Sequence, residues 1–483
     1  MLASRFLTSP AAQRACLAYA AALFYAGLCV STLAEPPDPY EGSLNRAAPR
    51  GAETVRFNVP GGNRPEEIAV LPRHLGFAKY RDQDSAHEKE LARYDFYKIG
   101  NTPDDGAVAL LPKNKSTSAA VELFNIPKGS VKPDPETVAY CTQVRKTSKD
   151  LAKFKQTDNV YTTTCTAAIL GYYHVSRLLG GICDIQPAIL RTMDIEQHKK
   201  LVRLAAESNL HGAVAKSWAL FNRYYANPQR SSVARTLFTS DFTQIYGALL
   251  RNTRGEEHYA DWDRAGNDLR STVAFRDMAD PRPAAKVIGS TQFAQPVLQR
   301  LVAMRDMGEM ILLDYLLAQS DRLTGGNIAD FQTFYYVDQG RIRNSRNADD
   351  LPAGAPKLAV RRLTLVDTNA GLLNQNVFEQ KGYLAAISHL HPETYQRLLD
   401  FADKWKTDPA VRAFFHEDCT FTNAQLARFG GYLANAAKVL KQKHDSGKLL
   451  LDLDLDSYFQ PDASPKTAQV NLVQPDSPKT ITR

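Results

Sequence analysis

After its first 34 residues the chain has no apolar run of membrane length, few cysteines and little unbalanced charge. Each scarcity excludes something. Without a later run of about 20 apolar residues, the body of the protein holds no spanning helix. The formal charge is +7, and setting aside Arg5 and Arg14 of the leader leaves 57 bases against 52 acids. An excess that small does not mark a nucleic-acid partner. The six cysteines form no C-x-x-C pair, which argues against a structural zinc. There is no Walker-type glycine loop and no internal repeat. No Asp or Glu occurs anywhere from Val160 to Cys183, a gap that matters below.

What is present begins at the N-terminus. Arg5 and Arg14 precede an uncharged stretch from Ala15 to Ala34, and Thr32 and Ala34 sit at signal-peptidase spacing before Glu35. A basic start, an apolar stretch and a small-residue exit describe a signal peptide over 1–34. The stretch is also long enough to serve as a retained anchor. Either way the remainder is exported: secreted, or held in a periplasm or secretory-pathway lumen. Four cysteines remain beyond the leader, Cys141, Cys165, Cys183 and Cys419. An even count in an exported chain predicts at least one disulfide, with buried free thiols as the alternative. A bond from Cys419 to an N-terminal partner would tie two lobes together.

Residues 35–65 are a Pro/Gly-rich linker, EPPDPYEG and VPGGNRPEE, and 66–135 form a mixed N-terminal segment. Alternation in VAYCTQV and LAKFK predicts two short strands over 136–156. A helix follows in AAILGYYHVSRLL, closed by Gly180 and Gly181. The region 196–320 reads as helix-rich, ending in the buried VLQRLVAMRDMGEMILLDYLLAQ. The period then changes, and FQTFYYVDQ and RRLTLVDTN predict two strands around a polar loop. Helices return at HPETYQRLLDFADKW, with Pro392 in a first turn, and at TNAQLARFGGYLANAAKVLKQK. The tail 456–483 is rich in Pro, Ser, Thr and Lys and is expected to be disordered. The order of elements predicts an α+β fold with two lobes, the second mostly helical, spanning 136–455.

The chemistry-bearing residues cluster in two places. A buried helix ends in Asp314-Tyr-Leu-Leu-Ala-Gln-Ser-Asp321-Arg322-Leu-Thr-Gly-Gly-Asn327, and forty residues on an apolar strand delivers Asp367 in LTLVDTNAG. Phosphoryl transfer needs a carboxylate near the attacking hydroxyl and oxygen ligands for a hard cation bridging the phosphates. Asp321 suits the first role; Asn327 and Asp367 suit the second. Taken singly, Asp321-Arg322 reads as an ion pair capping a helix and Asp367 as a turn residue; the functional reading comes from the two together, in this order and flanked by these strands. Two histidines, His389 and His391, precede a helix and read as helix-start packing. Asp452, Asp454 and Asp456 alternate with leucines as an exposed strand face would.

These segments resemble the secretory-pathway kinases, the group that contains four-jointed and the Golgi casein kinase. Four-jointed proteins carry D-Y-L-T-x-x-x-D-R-L-x-x-N and, downstream, L-D-N-E-A-G-L. Asp314-Tyr315-Leu316, Asp321-Arg322-Leu323, Asn327 and Asp367-x-x-Ala370-Gly371-Leu372 match that pattern. The resemblance spans roughly 140–440 and is most specific at 314–327 and 363–372. It implies a two-lobed protein-kinase-like fold, Asp321 as catalytic aspartate, Asn327 and Asp367 as metal ligands, and ATP with Mg or Mn as cofactor. It implies Lys155 as the nucleotide-binding lysine, with Lys153, Lys146 and Lys149 as rivals. Two departures stand out. Asp321 and Asn327 are one residue further apart than in the family. The helix glutamate that pairs with the lysine is replaced by Ile169, with Asp158, Asp184 and Glu196 as sequence-near substitutes.

Three functions fit. One is a metal-requiring kinase of Ser or Thr on secreted or surface proteins, or of a sugar or lipid hydroxyl. Another is a pseudokinase that binds nucleotide or a protein without turnover. A third is a secreted binding protein with an unrelated site. No nucleic-acid partner is expected, and a membrane partner only if the N-terminal segment stays as an anchor.

Overall fold

The computed structural model describes residues 51–98, 108–115, 117–126, 136–158, 164–231, 233–252, 257–259, 268–323, 327–354, 357–372 and 375–459. The leader, most of the linker and the tail from 460 lie outside them.

The fold is α+β, with one lobe built on a seven-stranded antiparallel sheet and a second that is mostly helical. The strands are β1 (Glu53–Phe57), β2 (Glu67–Leu71), β3 (Ala109–Pro112), β4 (Val121–Asn125), β5 (Lys149–Gln156), β6 (Ala188–Asp194) and β7 (Gln244–Arg251). Their order across the sheet is β1-β2-β6-β7-β5-β4-β3, so strands from before and after residue 136 share one sheet. Side-chain alternation divides each strand between two cores. Ile68, Val70, Leu190, Tyr246 and Ala248 face the second lobe. Ala69, Leu71, Ala152, Phe154, Ile189 and Leu249 face the opposite way. That second face is covered by α4 (Ile195–Glu207) and α5 (Gly212–Ala226), following α1 (Asp84–Ala92), α2 (Val138–Thr147) and α3 (Thr166–Leu178) in the chain.

Helix α3 occupies the other face, and every one of its residues is buried. Its end is as the glycines predict: Gly180 and Gly181 both have positive φ, and the Gly181 amide donates to the Ser176 carbonyl at 2.7 Å. That closes the last turn with left-handed residues that carry no Cβ penalty.

The second lobe centres on α6 (Gln295–Leu316), a single buried helix. Against it lies a four-stranded antiparallel sheet of β8 (Glu257–His258), β9 (Ile328–Asp338), β10 (Arg341–Ser345) and β11 (Leu358–Leu365). Helix α7 (Pro392–Thr407) begins on Pro392, and α8 (Asn423–Asp445) opens with a Thr422–Gln425 capping box.

Several expectations are corrected. VAYCTQV is helix α2: Tyr140, Cys141 and Val144 are buried at helical spacing and Thr137 caps its start, so only LAKFK is a strand. The middle region contains β7, a continuous apolar run buried on both faces, and the polar loop contains β10. The predicted disulfide is absent: the four cysteines within the described residues are free and buried. Burial pushes each thiol up, Cys141 to about 11, so each behaves as a small apolar side chain. The aspartates after α8 are not a strand face. Asp452 accepts from the Ala284 amide at 2.7 Å and pairs with His389, and Asp456 accepts from the Ile342 amide at 2.6 Å. His391 caps α7, as its place before Pro392 predicts. No helix among the described residues is long and apolar enough to cross a membrane.

Candidate functional site

The register of two strands assembles the site. Ile328 at the start of β9 pairs with Leu365 at the end of β11. The residues just outside that pair, Asn327 and Val366-Asp367, therefore meet at one sheet edge. The Val366 amide donates to the Asn327 carbonyl at 3.4 Å. Arg322, fully buried, clamps both: its Nη1 donates to the carbonyls of Asn327 and Val366, each at 2.6 Å. Its Nε and Nη2 hold Asp314 at the end of α6, at 2.9 and 3.2 Å. Tyr172 of α3 donates to the same Asp314 carboxylate at 2.6 Å. Asp314, Tyr172 and Arg322 thus act structurally, locking α6, α3, Asn327 and the strand end before Asp367 into one unit.

Asp321 sits partly buried beside this clamp. Its side chain bonds that of Asn327, and it feels the charges of Asp367 and Lys155, so Asp321, Asn327 and Asp367 converge. Burial, with Asp367 reinforcing it, holds its carboxyl above the ordinary aspartate value despite Arg322. The residues 324–326 that lengthen the spacing to Asn327 lie outside the described set.

Lys155 meets this edge from the other lobe. On β5, alternation sends Ala152 and Phe154 into the far core and Lys153 and Lys155 toward the cleft. Strand β7 lies close here: a Cβ on Gly247 would come within 2.6 Å of the Lys155 carbonyl oxygen, so only glycine fits. Lys155 Nζ donates to Asp367 Oδ1 at 2.6 Å and to Asn369 Oδ1 at 2.8 Å. The Lys155 ammonium, with Lys113 adding to it, holds the Asp367 carboxyl well below the usual range. Asp367 is left-handed, with φ 47°, in a turn whose Asn369 carbonyl accepts from the Cys165 amide at the start of α3. Gly371 lets that turn press home: a Cβ there would lie 2.9 Å from the Leu317 carbonyl oxygen and 3.2 Å from Ala168.

The cleft between the lobes is lined by Lys113, Lys153, Lys155, Ile169, Leu250 and Asp367 among others. Ile169 takes the place expected for a glutamate, and none of the sequence-near substitutes reaches the lysine. Asp158 bonds Ser217, Asp184 pairs with Arg81 and Arg346, and Glu196 pairs with Lys199. Lys146 and Lys149 are not among the lining residues. Asn369 and Lys113 belong to the site without having been singled out. Asn369 was visible in the turn after Asp367; Lys113, 42 residues before Lys155, had no local signal.

The donors fit a hard cation and a phosphate chain. The side-chain oxygens of Asp367, Asn327 and Asp321 are of the type a hard cation takes, and Lys113, Lys153 and Lys155 line the cleft beside Asp367.

No protein-family model matches the chain, and no curated protein matches it by sequence. Among solved structures it is similar to two crystal structures of the Golgi casein kinase, one of them with Mn/ADP bound. Each comparison has 12% identity and a TM-score of 0.39, covering 76% of this chain and 78% of that one.

Proposed function

We propose that this chain is an ATP-dependent phosphotransferase of the secretory pathway that requires Mg or Mn and phosphorylates hydroxyls, Ser or Thr of secreted or surface proteins foremost. The observation that carries the reading is the convergence of Asp321, Asn327, Asp367 and Lys155 on one edge of the interlobe cleft. Each has a task there. Asp321 accepts the proton of the attacking hydroxyl, and its raised carboxyl brings it nearer the working range of a general base. Lys155 holds phosphate oxygens once Asp367 is released from it. Asp367 and Asn327 would hold the divalent cation. When bound, that cation neutralises charge developing on the phosphates. Arg322 and Asp314 act through the others, as positioning residues. The signal peptide over 1–34 fits export.

The test is phosphoryl transfer from labelled ATP with Asp321→Ala. The variant should keep ATP-induced thermal stabilisation and lose transfer. Undiminished transfer would remove Asp321 from the mechanism. Trying protein, sugar and lipid acceptors in parallel decides the acceptor class.

One observation favours a second reading, a pseudokinase. Ile169 leaves Lys155 without a helix carboxylate, and its ionic partner is Asp367 itself. Nucleotide binding without transfer to any acceptor would establish that reading.

A further inference from the structure

We propose that Asn369 is the positioning residue for Lys155: it stands in for the helix glutamate that Ile169 replaces, as a neutral acceptor that stays with the lysine when Asp367 turns to the divalent cation. This rests on the phosphotransferase reading and deepens it by naming what holds the lysine. Lys155 is 3% exposed, and its Nζ donates to Asp367 Oδ1 at 2.6 Å and to Asn369 Oδ1 at 2.8 Å. An ammonium can only donate, so the Asn369 atom that faces it is the oxygen. The amide nitrogen of Asn369 is then turned to Thr164 Oγ1, to which it donates at 3.2 Å. Thr164 exchanges backbone hydrogen bonds with Asp158, three residues beyond Lys155 in the chain, at 3.0 and 2.9 Å. The Asn369 carbonyl accepts from the amide of Cys165, the residue that caps the start of α3, at 2.8 Å. Backbone and side chain of Asn369 are therefore both fixed, and the residue is 4% exposed.

In protein kinases this lysine is held by a glutamate of the neighbouring helix. Here α3 carries Ile169, which lines the same cleft. The helix still anchors the lysine, but through the turn docked on its first amides and not through a side chain of its own. The two acceptors of Lys155 differ in what else they must do. Asp367 is also a cation ligand in the proposed mechanism, so its bond to Lys155 is given up when the metal arrives. Asn369 has its oxygen on Lys155 and its nitrogen on Thr164, and neither bond competes with the metal. A buried ammonium stripped of acceptors is costly, and Asn369 keeps one in place through the exchange. Being neutral, the amide fixes the direction of the ammonium without cancelling its charge, which stays available for phosphate oxygens. The change to Ile169 therefore does not by itself disarm the site.

The experiment is calorimetric titration of the full chain with ADP and Mn, in the parent and in Asn369→Leu, Asn369→Asp and the double variant Asn369→Leu/Ile169→Glu, with guanidinium unfolding of each. Asn369→Leu removes the acceptor at similar volume and should weaken ADP binding about tenfold, the loss expected for one hydrogen bond to a charged group. Asn369→Asp keeps an acceptor for the lysine and should bind within a few-fold of the parent. Adding Ile169→Glu to Asn369→Leu puts a carboxylate at the helix position. It should recover most of the lost affinity while lowering stability further, because it buries another charge. A residue that only pinned the turn would give affinities that follow stability through all three variants, and that result would overturn the inference. So would ADP binding indifferent to Asn369→Leu. Where the double variant does not fold, Asn369→Asp decides, since binding as weak as in Asn369→Leu overturns the inference. In each of these cases the parent binds nucleotide and the phosphotransferase reading stands. A parent that binds no ADP would overturn both.

Discussion

Removing the Arg322 guanidinium is the sharpest structural test. Its side chain has no exposed surface, nor has that of Asp314, and Tyr172 and the two carbonyls it serves are also inside. In Arg322→Met the Asp314 carboxylate keeps one partner, Tyr172, and loses its counter-charge. The carbonyls of Asn327 and Val366 lose their shared donor. Breaking a buried pair by deleting one partner costs about 3–5 kcal/mol, and the orphaned carbonyls add to it. Guanidinium unfolding of parent and variant, read at equal m, measures the loss. A loss under about 1 kcal/mol would refute the claim that this pair holds the site together. The double variant Arg322→Met/Asp314→Leu separates stability from function. With both charges gone, stability should return to within about 1–2 kcal/mol of the parent, while phosphoryl transfer stays lost because nothing clamps Asn327 to Val366. Recovery of transfer in the double variant would show that the clamp is not needed for positioning.

Transfer should fall on the acid side with an apparent pKa above the ordinary aspartate value of about 3.9, because burial and Asp367 raise Asp321; a limb at or below that value removes Asp321 as the base. Asp367 has the opposite sign. Its pairing with Lys155 stabilises the fold above the unfolded-chain value and is lost as pH falls toward the lower folded value, so Asp367→Asn should flatten acid unfolding. Gly371→Ala forces a Cβ against the Leu317 carbonyl and should cost about 1–3 kcal/mol, with nucleotide affinity falling alongside. Alkylating the unreduced, denatured protein should label Cys141, Cys165, Cys183 and Cys419 alike; any protected pair would restore the disulfide expectation.

The parts of the site legible in sequence are those carried by short, local patterns. Asp321, Asn327 and Asp367 lie in two compact motifs at the ends of apolar segments, and the register of β9 with β11 follows from those segments pairing. The end of α3 was legible because glycine alone relieves a left-handed turn. Helix α2 was misread because VAYCTQV alternates at period two while also placing Tyr140, Cys141 and Val144 on one helical face. Strand β7 was missed because a run buried on both sides has no period. Lys113 could not be found locally, since it joins Lys155 only after two strand pairings. The cysteines misled because export licenses disulfides without placing thiols in range of each other.

Helix α3 is buried along its whole length. Its backbone amides can then exchange with solvent only through openings that expose the core, so their protection should approach that of global unfolding. Tied to Asp314 by Tyr172 and to the Asp367 turn through Cys165, it is a fixed back wall for the cleft. Adaptation to an incoming ligand then falls to what stands in front of that wall, above all the exchange of partners at Lys155.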